Sequence, residues 1–289
     1  MTSTTPEIPE RVEFVTDKHA MQLVRLRTGP STVSLYLQGA HITSYRVGER
    51  ELLWMSETSS FESGKAIRGG IPVCWPWFGA YDAEGSRPQH GFARTSMFQV
   101  VSTSASDTES RVLMRLAQSS PFPDWPPTIG LEFEVRLGDA LWMELRTSNG
   151  SDRAVECGAA LHTYFAVTAA GDVAIPEVQG LRFKDKTRDF LLDKQSDPLR
   201  VEDEIDRVYM NPPAKLQLHD SHAVPVAIET WGNCDLVVWN PGPVKAREMG
   251  DFDNDGYQRM VCIEPANALD NRVTLGPGDS HSLGQKISG

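Results

Sequence analysis

Two arginines, two histidines and a glutamate stand in surroundings where their side chains could do chemistry. Arg68 is followed by Gly69-Gly70, two residues without side chains that let a ligand oxygen approach the backbone while the guanidinium reaches over it. That combination suits a phosphate. Arg94 closes the separate stretch PQHGFAR and would add a second charge-assisted contact to the same dianion. The plainer reading is that both arginines are solvated or salt-bridged, as this residue type usually is. His162 follows the apolar run Cys157 to Leu161 and precedes Thr163-Tyr164-Phe165. A histidine there is either a hydrogen-bonded core residue or a proton carrier, since its ordinary pKa lies nearest neutrality. Glu264 follows Met260-Val261-Cys262-Ile263 and precedes Pro265, so it is expected at a strand end. A carboxyl among such neighbours needs a salt-bridge partner or a function. His90, between Gln89 and Gly91, could contact a ligand or pack against Phe92. Trp75, Trp77 and Phe78 could stack on a sugar face or supply core area.

One metal motif is excluded. Asp251, Asp253, Asp255 and Gly256 match the opening of a calcium loop, but the position of the bidentate glutamate holds Cys262, and the flanks are strand-like rather than helical. The run is read as an acidic solvated turn.

The elements that must position these residues are strands. Segments alternating apolar and polar recur from Val12 to Val15, Met21 to Leu26, Val33 to Leu37, Met97 to Val101, Val112 to Leu116, Leu131 to Leu137 and Leu141 to Arg146. The second half repeats them at Val155 to Leu161, Val224 to Trp231, Asp235 to Trp239, Met260 to Glu264 and His281 to Ile287. Turn sequences such as Asn240-Pro241-Gly242-Pro243 separate them, and no long helical period or strand-to-helix glycine fingerprint appears. Many short strands with frequent turns predict an all-β chain, a large antiparallel sandwich. Its 289 residues are read as a single domain, with residues 1–10 a flexible tail. Thr187 to Glu204 is polar and reads as an excursion from the core. Ile67 to Tyr81 and Pro88 to Arg94 are loop-like yet rich in aromatics, and such loops usually serve a ligand.

Composition narrows the partners. A formal charge of -11 repels nucleic acid and anionic membranes, so neither is expected. The same field weakly repels a phosphorylated metabolite, so any anion site must be built from local arginines. No apolar run approaches the roughly 18 residues of a membrane span, and no secretory leader precedes the strands. The chain is expected to be cytoplasmic. Cys74, Cys157, Cys234 and Cys262 form no CxxC pair and are read as reduced core residues.

Taken in order, IRGGIPVCWPWFG, QHGFAR, LHTYFAV, Asp206-Arg207-Val208-Tyr209 and CIEPAN resemble the hexose-6-phosphate mutarotases, a branch of the aldose 1-epimerase superfamily, from about Arg11 to the C-terminus. The resemblance implies a galactose-mutarotase-like supersandwich with the site on one concave face. It implies that His162 and Glu264 are the catalytic pair, and that Arg68, Gln89, Arg94 and Asp206 bind substrate, the arginines holding the phosphate. His90 adjoins them as a further ring contact. The implied activity is isomerisation of a sugar phosphate anomer; the chain is read as a monomer, and the chemistry requires neither cofactor nor metal. Three other readings are a mutarotase of unphosphorylated aldoses, a noncatalytic sugar-binding sandwich, and a cupin-like metalloenzyme using His90, His162 and Glu264. The last lacks the closely spaced His-x-His of its class.

Overall fold

Alternation in the sequence becomes antiparallel sheet because successive strand side chains face opposite ways, and the apolar face needs a second layer to cover it. The computed structural model describes residues 7–82, 84–117 and 120–289. Residues 1–6 of the expected tail lie outside that set, while Ile8 bridges to Val12 and packs against the core.

The chain opens with a five-stranded meander, Val12–Thr16, Gln22–Thr28, Ser31–Tyr36, His41–Val47 and Arg50–Glu51. Two long antiparallel sheets follow. The first runs, in spatial order, Val173–Ala174, Lys215–Asp220, Ala223–Trp231, Ser280–Ser288, Leu141–Asn149, Ile129–Leu137, Ser110–Leu116 and Phe98–Ala105. The second runs Leu191–Lys194, Arg182–Asp185, Ile205–Met210, Asp235–Asn240, Met260–Asn267, Ala159–Leu161 and Val73–Cys74, with Tyr164–Ala166 also paired to Met260–Asn267. The expected sandwich is present. Tyr209, Leu236, Val238, Val261 and Ile263 of the second sheet share one core cluster with Phe133, Met143, Leu145, Leu283 and Ile287 of the first. The alternate residues Val208, Val237, Trp239, Cys262 and Tyr164 face the other way, into a separate cluster with Trp54 and Phe252.

Several expectations change at this level. Glu264 does not end its strand: Met260–Asn267 continues through Pro265, and every residue in it is buried. Proline is tolerated in this central strand because the neighbouring ladder is interrupted there. Ala159–Leu161 pairs at Ala266 and Asn267, and Tyr164–Ala166 pairs at Met260 to Cys262. The Ile263 N–H donates to Thr163 O at 3.1 Å, so the missing donor at 265 points into the gap between them. Thr187 to Glu204 is more than an excursion, since Leu191–Lys194 forms an edge strand and Leu199 and Val201 are buried. A short helix, Gly242–Glu248, was not foreseen. The acidic run is only partly solvated: Asp255 is exposed, but Asp253 is buried and accepts bonds from the Glu57 and Thr58 N–H groups and the Ser56 hydroxyl. Cys74, Cys157 and Cys262 are buried as expected, but Cys234 is exposed, at the turn before Asp235–Asn240.

Candidate active site

Strand register assembles the site. Asp206 pairs with Trp239, Trp239 with Cys262, and Cys262 with Tyr164, a row across four strands; Val208, Val237 and Glu264 form the next row. Positions two apart share a face, so Asp206, Trp239, Cys262, Tyr164 and Glu264 all project from one side of the sheet. His162 joins them from the break between Ala159–Leu161 and Tyr164–Ala166, where its N–H is held by Pro72 O at 3.0 Å. The two aromatic loops complete the wall. All seven residues singled out in the sequence, Arg68, Gln89, His90, Arg94, His162, Asp206 and Glu264, line one cavity of about 450 Å³, within the range of small-molecule sites.

Glycines shape the Arg68 loop for a reason other than ligand approach. Gly69 and Gly70 have φ of +100° and +62°, and a Cβ there would lie 2.6 Å from Trp54 O and 2.1 Å from Ile42 O. The pair serves close packing of backbone on backbone, and His41 Nε2 lies 2.8 Å from the Gly69 carbonyl. Arg68 is thereby presented with its guanidinium already engaged: it donates to Tyr164 Oη at 3.0 Å and lies 3.1 Å from Asp251. Arg94 differs. Its Nη2 donates to the Gln89 carbonyl at 2.8 Å, and it has no carboxylate partner among the described residues.

Sequence reasoning missed Lys186, Lys245 and Trp239 among the cavity residues. Lys186 lies 2.7 Å from Asp206, and Lys245 lies 2.6 Å from Glu204. Both lysines come from polar segments with no periodic signal, so only the Asp206 motif could have pointed to a cation nearby. Trp239 lines the cavity while Trp75 and Trp77 are core; of the aromatic run only Phe78 reaches it.

The central pair is close but not hydrogen-bonded. His162 Nδ1 and Glu264 Oε1 are 3.2 Å apart, yet neither the nitrogen nor either carboxyl oxygen has a hydrogen-bond partner among the described residues. Burial dominates their electrostatics: it pushes the Glu264 carboxyl well above its ordinary range, with Asp206 adding and Lys186 opposing. It holds His162 well below its ordinary range, and His90, Arg68, Arg94 and Lys186 lower it further. Taking charges out of water outweighs their mutual attraction, so burial shifts both members of the pair toward their uncharged forms. The ring of Tyr164 stacks on His162 at 4.8 Å and 9°. His90 is likewise held neutral by burial, and its Nδ1 accepts the Gly79 N–H at 3.3 Å, which leaves the proton on Nε2. Asp206 Oδ1 is buried and unpartnered, a ready acceptor.

A ring nitrogen of His162, Cys262 Sγ and a Glu264 oxygen lie within 4.8 Å of one another. The trio of His90, His162 and Glu264 weighed from sequence is therefore not the one whose donors converge.

The family profile of the aldose 1-epimerases matches residues 22–288. A relative from Escherichia coli K12, provisionally named a glucose-6-phosphate 1-epimerase, is 37% identical over 88% of this chain and 85% of its own length. One from Cenchrus ciliaris with the same provisional name is 31% identical over 92% of this chain and 84% of its own. A crystal structure from Salmonella typhimurium, described as a mutarotase candidate, superposes with a TM-score of 0.89 at 31% identity, covering 98% of this chain and 95% of its own.

Proposed function

The chain belongs to the aldose 1-epimerase family, and from that premise we propose that it interconverts the α and β anomers of a hexose 6-phosphate such as glucose 6-phosphate. One observation carries this reading: a single cavity holds His162 and Glu264 3.2 Å apart beside Arg94, an arginine whose charge no described carboxylate offsets. Isomerisation needs the pair. Recognition of a phosphate needs the arginine, with Arg68 as its second contact.

Ring opening moves two protons. Glu264, as carboxylate, takes the proton from the C1 hydroxyl, His162, as imidazolium, gives one to the ring oxygen, and the C1–O5 bond breaks to an aldehyde. A half-turn about C1–C2 presents the other carbonyl face. Closure then returns the Glu264 proton to the carbonyl oxygen and the O5 proton to His162, so nothing is consumed. The imidazolium-carboxylate pair and the neutral pair carry the same number of protons and differ by one proton relayed across the site. Burial shifts both groups toward their uncharged forms, the forms they hold once the ring has opened, and so favours the opening step. Each positioned proton donor or acceptor contributes about 10² to 10⁴ in rate. Gln89, the Nε2–H of His90 and the free Asp206 oxygen hold the sugar hydroxyls.

The chemistry requires no cofactor and no catalytic metal, and we read the enzyme as a cytoplasmic monomer acting on a small molecule, without nucleic-acid or membrane partners. Four unpaired cysteines support the cytoplasmic reading, and a charge of -11 supports the lack of nucleic-acid and anionic-membrane partners. The test is NMR magnetisation transfer between the two anomeric protons of glucose 6-phosphate. Catalytic amounts of protein should accelerate the exchange, and Glu264→Gln and His162→Ala should each lose most of it while remaining folded. A rate equal to buffer alone would leave only a sugar-binding sandwich.

A further inference from the structure

Cys262 takes no part in the proposed reaction, yet it stands behind both groups that do. It lies two residues from Glu264 on Met260–Asn267 and so shares its face, while the break at His162 brings the imidazole to the same point. We propose that Cys262, His162 and Glu264 form a binding site for a thiophilic divalent cation of the zinc type, and that occupancy switches the enzyme off by taking both proton-transfer groups.

Three features support a ligand here. One sulfur, one nitrogen and one oxygen lie within 4.8 Å of each other, and the nitrogen and oxygen are already 3.2 Å apart. Zinc bonds of about 2.0 to 2.3 Å in a tetrahedral arrangement set ligand atoms roughly 3.3 to 3.7 Å apart, so rotamer adjustments of about an ångström would close the set. His162 Nδ1 and both Glu264 oxygens are buried without hydrogen-bond partners, and a cation would satisfy the nitrogen and one of the oxygens. The sulfur selects zinc, cobalt or cadmium over magnesium or calcium. Three protein ligands leave the fourth position of a tetrahedral ion open. On binding, the Cys262 thiol and any protonated Glu264 carboxyl release their protons to solvent, so the charges balance without a redox step. Cys74, buried on the neighbouring strand Val73–Cys74, is not one of the three and serves as the control.

The inhibitory half of this proposal rests on the mutarotase reading; the binding half does not. Adding Co²⁺ to the full-length protein should produce a thiolate-to-cobalt charge-transfer band in the near ultraviolet, displaced by Zn²⁺ and weakened by glucose 6-phosphate. Zn²⁺ should inhibit anomerisation, and EDTA should restore it. Cys262→Ser should keep the basal rate, lose the band and need at least about tenfold more Zn²⁺ for half-inhibition, given that loss of even an outer partner costs about 10- to 100-fold in metal affinity. Cys74→Ser should change neither, and Cys262→Ala gives the same readout should serine disturb the fold. A band that survives in Cys262→Ser, or disappears in Cys74→Ser, overturns the ligand assignment; absence of both band and inhibition overturns the site. A band in a protein without anomerase activity would instead overturn the catalytic reading and leave the site standing.

Discussion

Replacing Glu264 by leucine should abolish catalysis and at the same time stabilise the fold. Both carboxyl oxygens are buried without a hydrogen-bond partner among the described residues, and leaving a buried polar group in that condition costs about 1–3 kcal/mol. Leucine has a similar branched shape and nothing to satisfy, so Glu264→Leu should recover about that amount. At roughly 2–4 °C per kcal/mol for a domain somewhat smaller than this one, the melting temperature should rise by about 2–10 °C. The exchange rate should fall by about 10² to 10⁴ because the proton acceptor is gone. Opposite signs for stability and activity distinguish this reading from its rival, in which His162 and Glu264 are a structural ion pair. Breaking such a pair costs about 3–5 kcal/mol, and the variant would melt well below the parent. Calorimetry and NMR exchange on the same sample decide it; a large loss of stability, or a retained rate, refutes the reasoning.

Other consequences follow from the cavity wall. Arg94→Ala should raise KM for glucose 6-phosphate about 10- to 100-fold, the equivalent of a charge-assisted contact of about 1.5–3 kcal/mol, and leave free glucose nearly unaffected; equal effects on both sugars would remove the phosphate contact. Tyr164→Phe should raise KM several-fold with kcat little changed, because it frees the Arg68 guanidinium but keeps the ring on His162. Tyr164→Leu removes the stack and should lower kcat as well, so identical kinetics in the two variants would count against a positioning role. Lys186→Met strips Asp206 of its cation and should cost about 1–3 kcal/mol in urea unfolding; a midpoint unchanged within error would mean that the pair contributes nothing.

What the sequence revealed were conflicts between a residue and its neighbours. Glu264 in an apolar run and His162 after another are legible because a titratable group in a strand core needs a reason, and Arg68 and Arg94 because their loops interrupt the alternation. The sandwich was legible for a related cause: period-two patterning is local, and it appears wherever a strand has one wet face, as in Ile129–Leu137. Cross-strand neighbours are not local. Nothing near Trp239 announces that it lies beside Asp206 and Cys262, since that depends on the register of strands separated by loops of many residues. Lys186 was hidden for a second reason: it opens a single 3-10 turn, Lys186–Arg188, in a polar stretch that leads into an exposed edge strand. The glycine pair misled because a glycine states that a side chain would not fit, without saying what occupies the space; here it is the carbonyls of Trp54 and Ile42.

Pro265 joins the local and the long-range accounts. In the sequence it argued for a strand end, because a central strand cannot spare an N–H. In the fold the strand continues, and the ladder beside it is what gives way, at His162-Thr163. A regular partner strand across that gap would direct the residue at 162 by strict alternation and would demand a donor at 265. The interruption frees His162 to turn toward Glu264, one residue before the proline, and the missing donor leaves no unpaired group behind. The proline is therefore a condition of the pair's geometry, and the same residue that obscured the strand boundary explains how an imidazole and a carboxyl come to stand 3.2 Å apart inside a sheet.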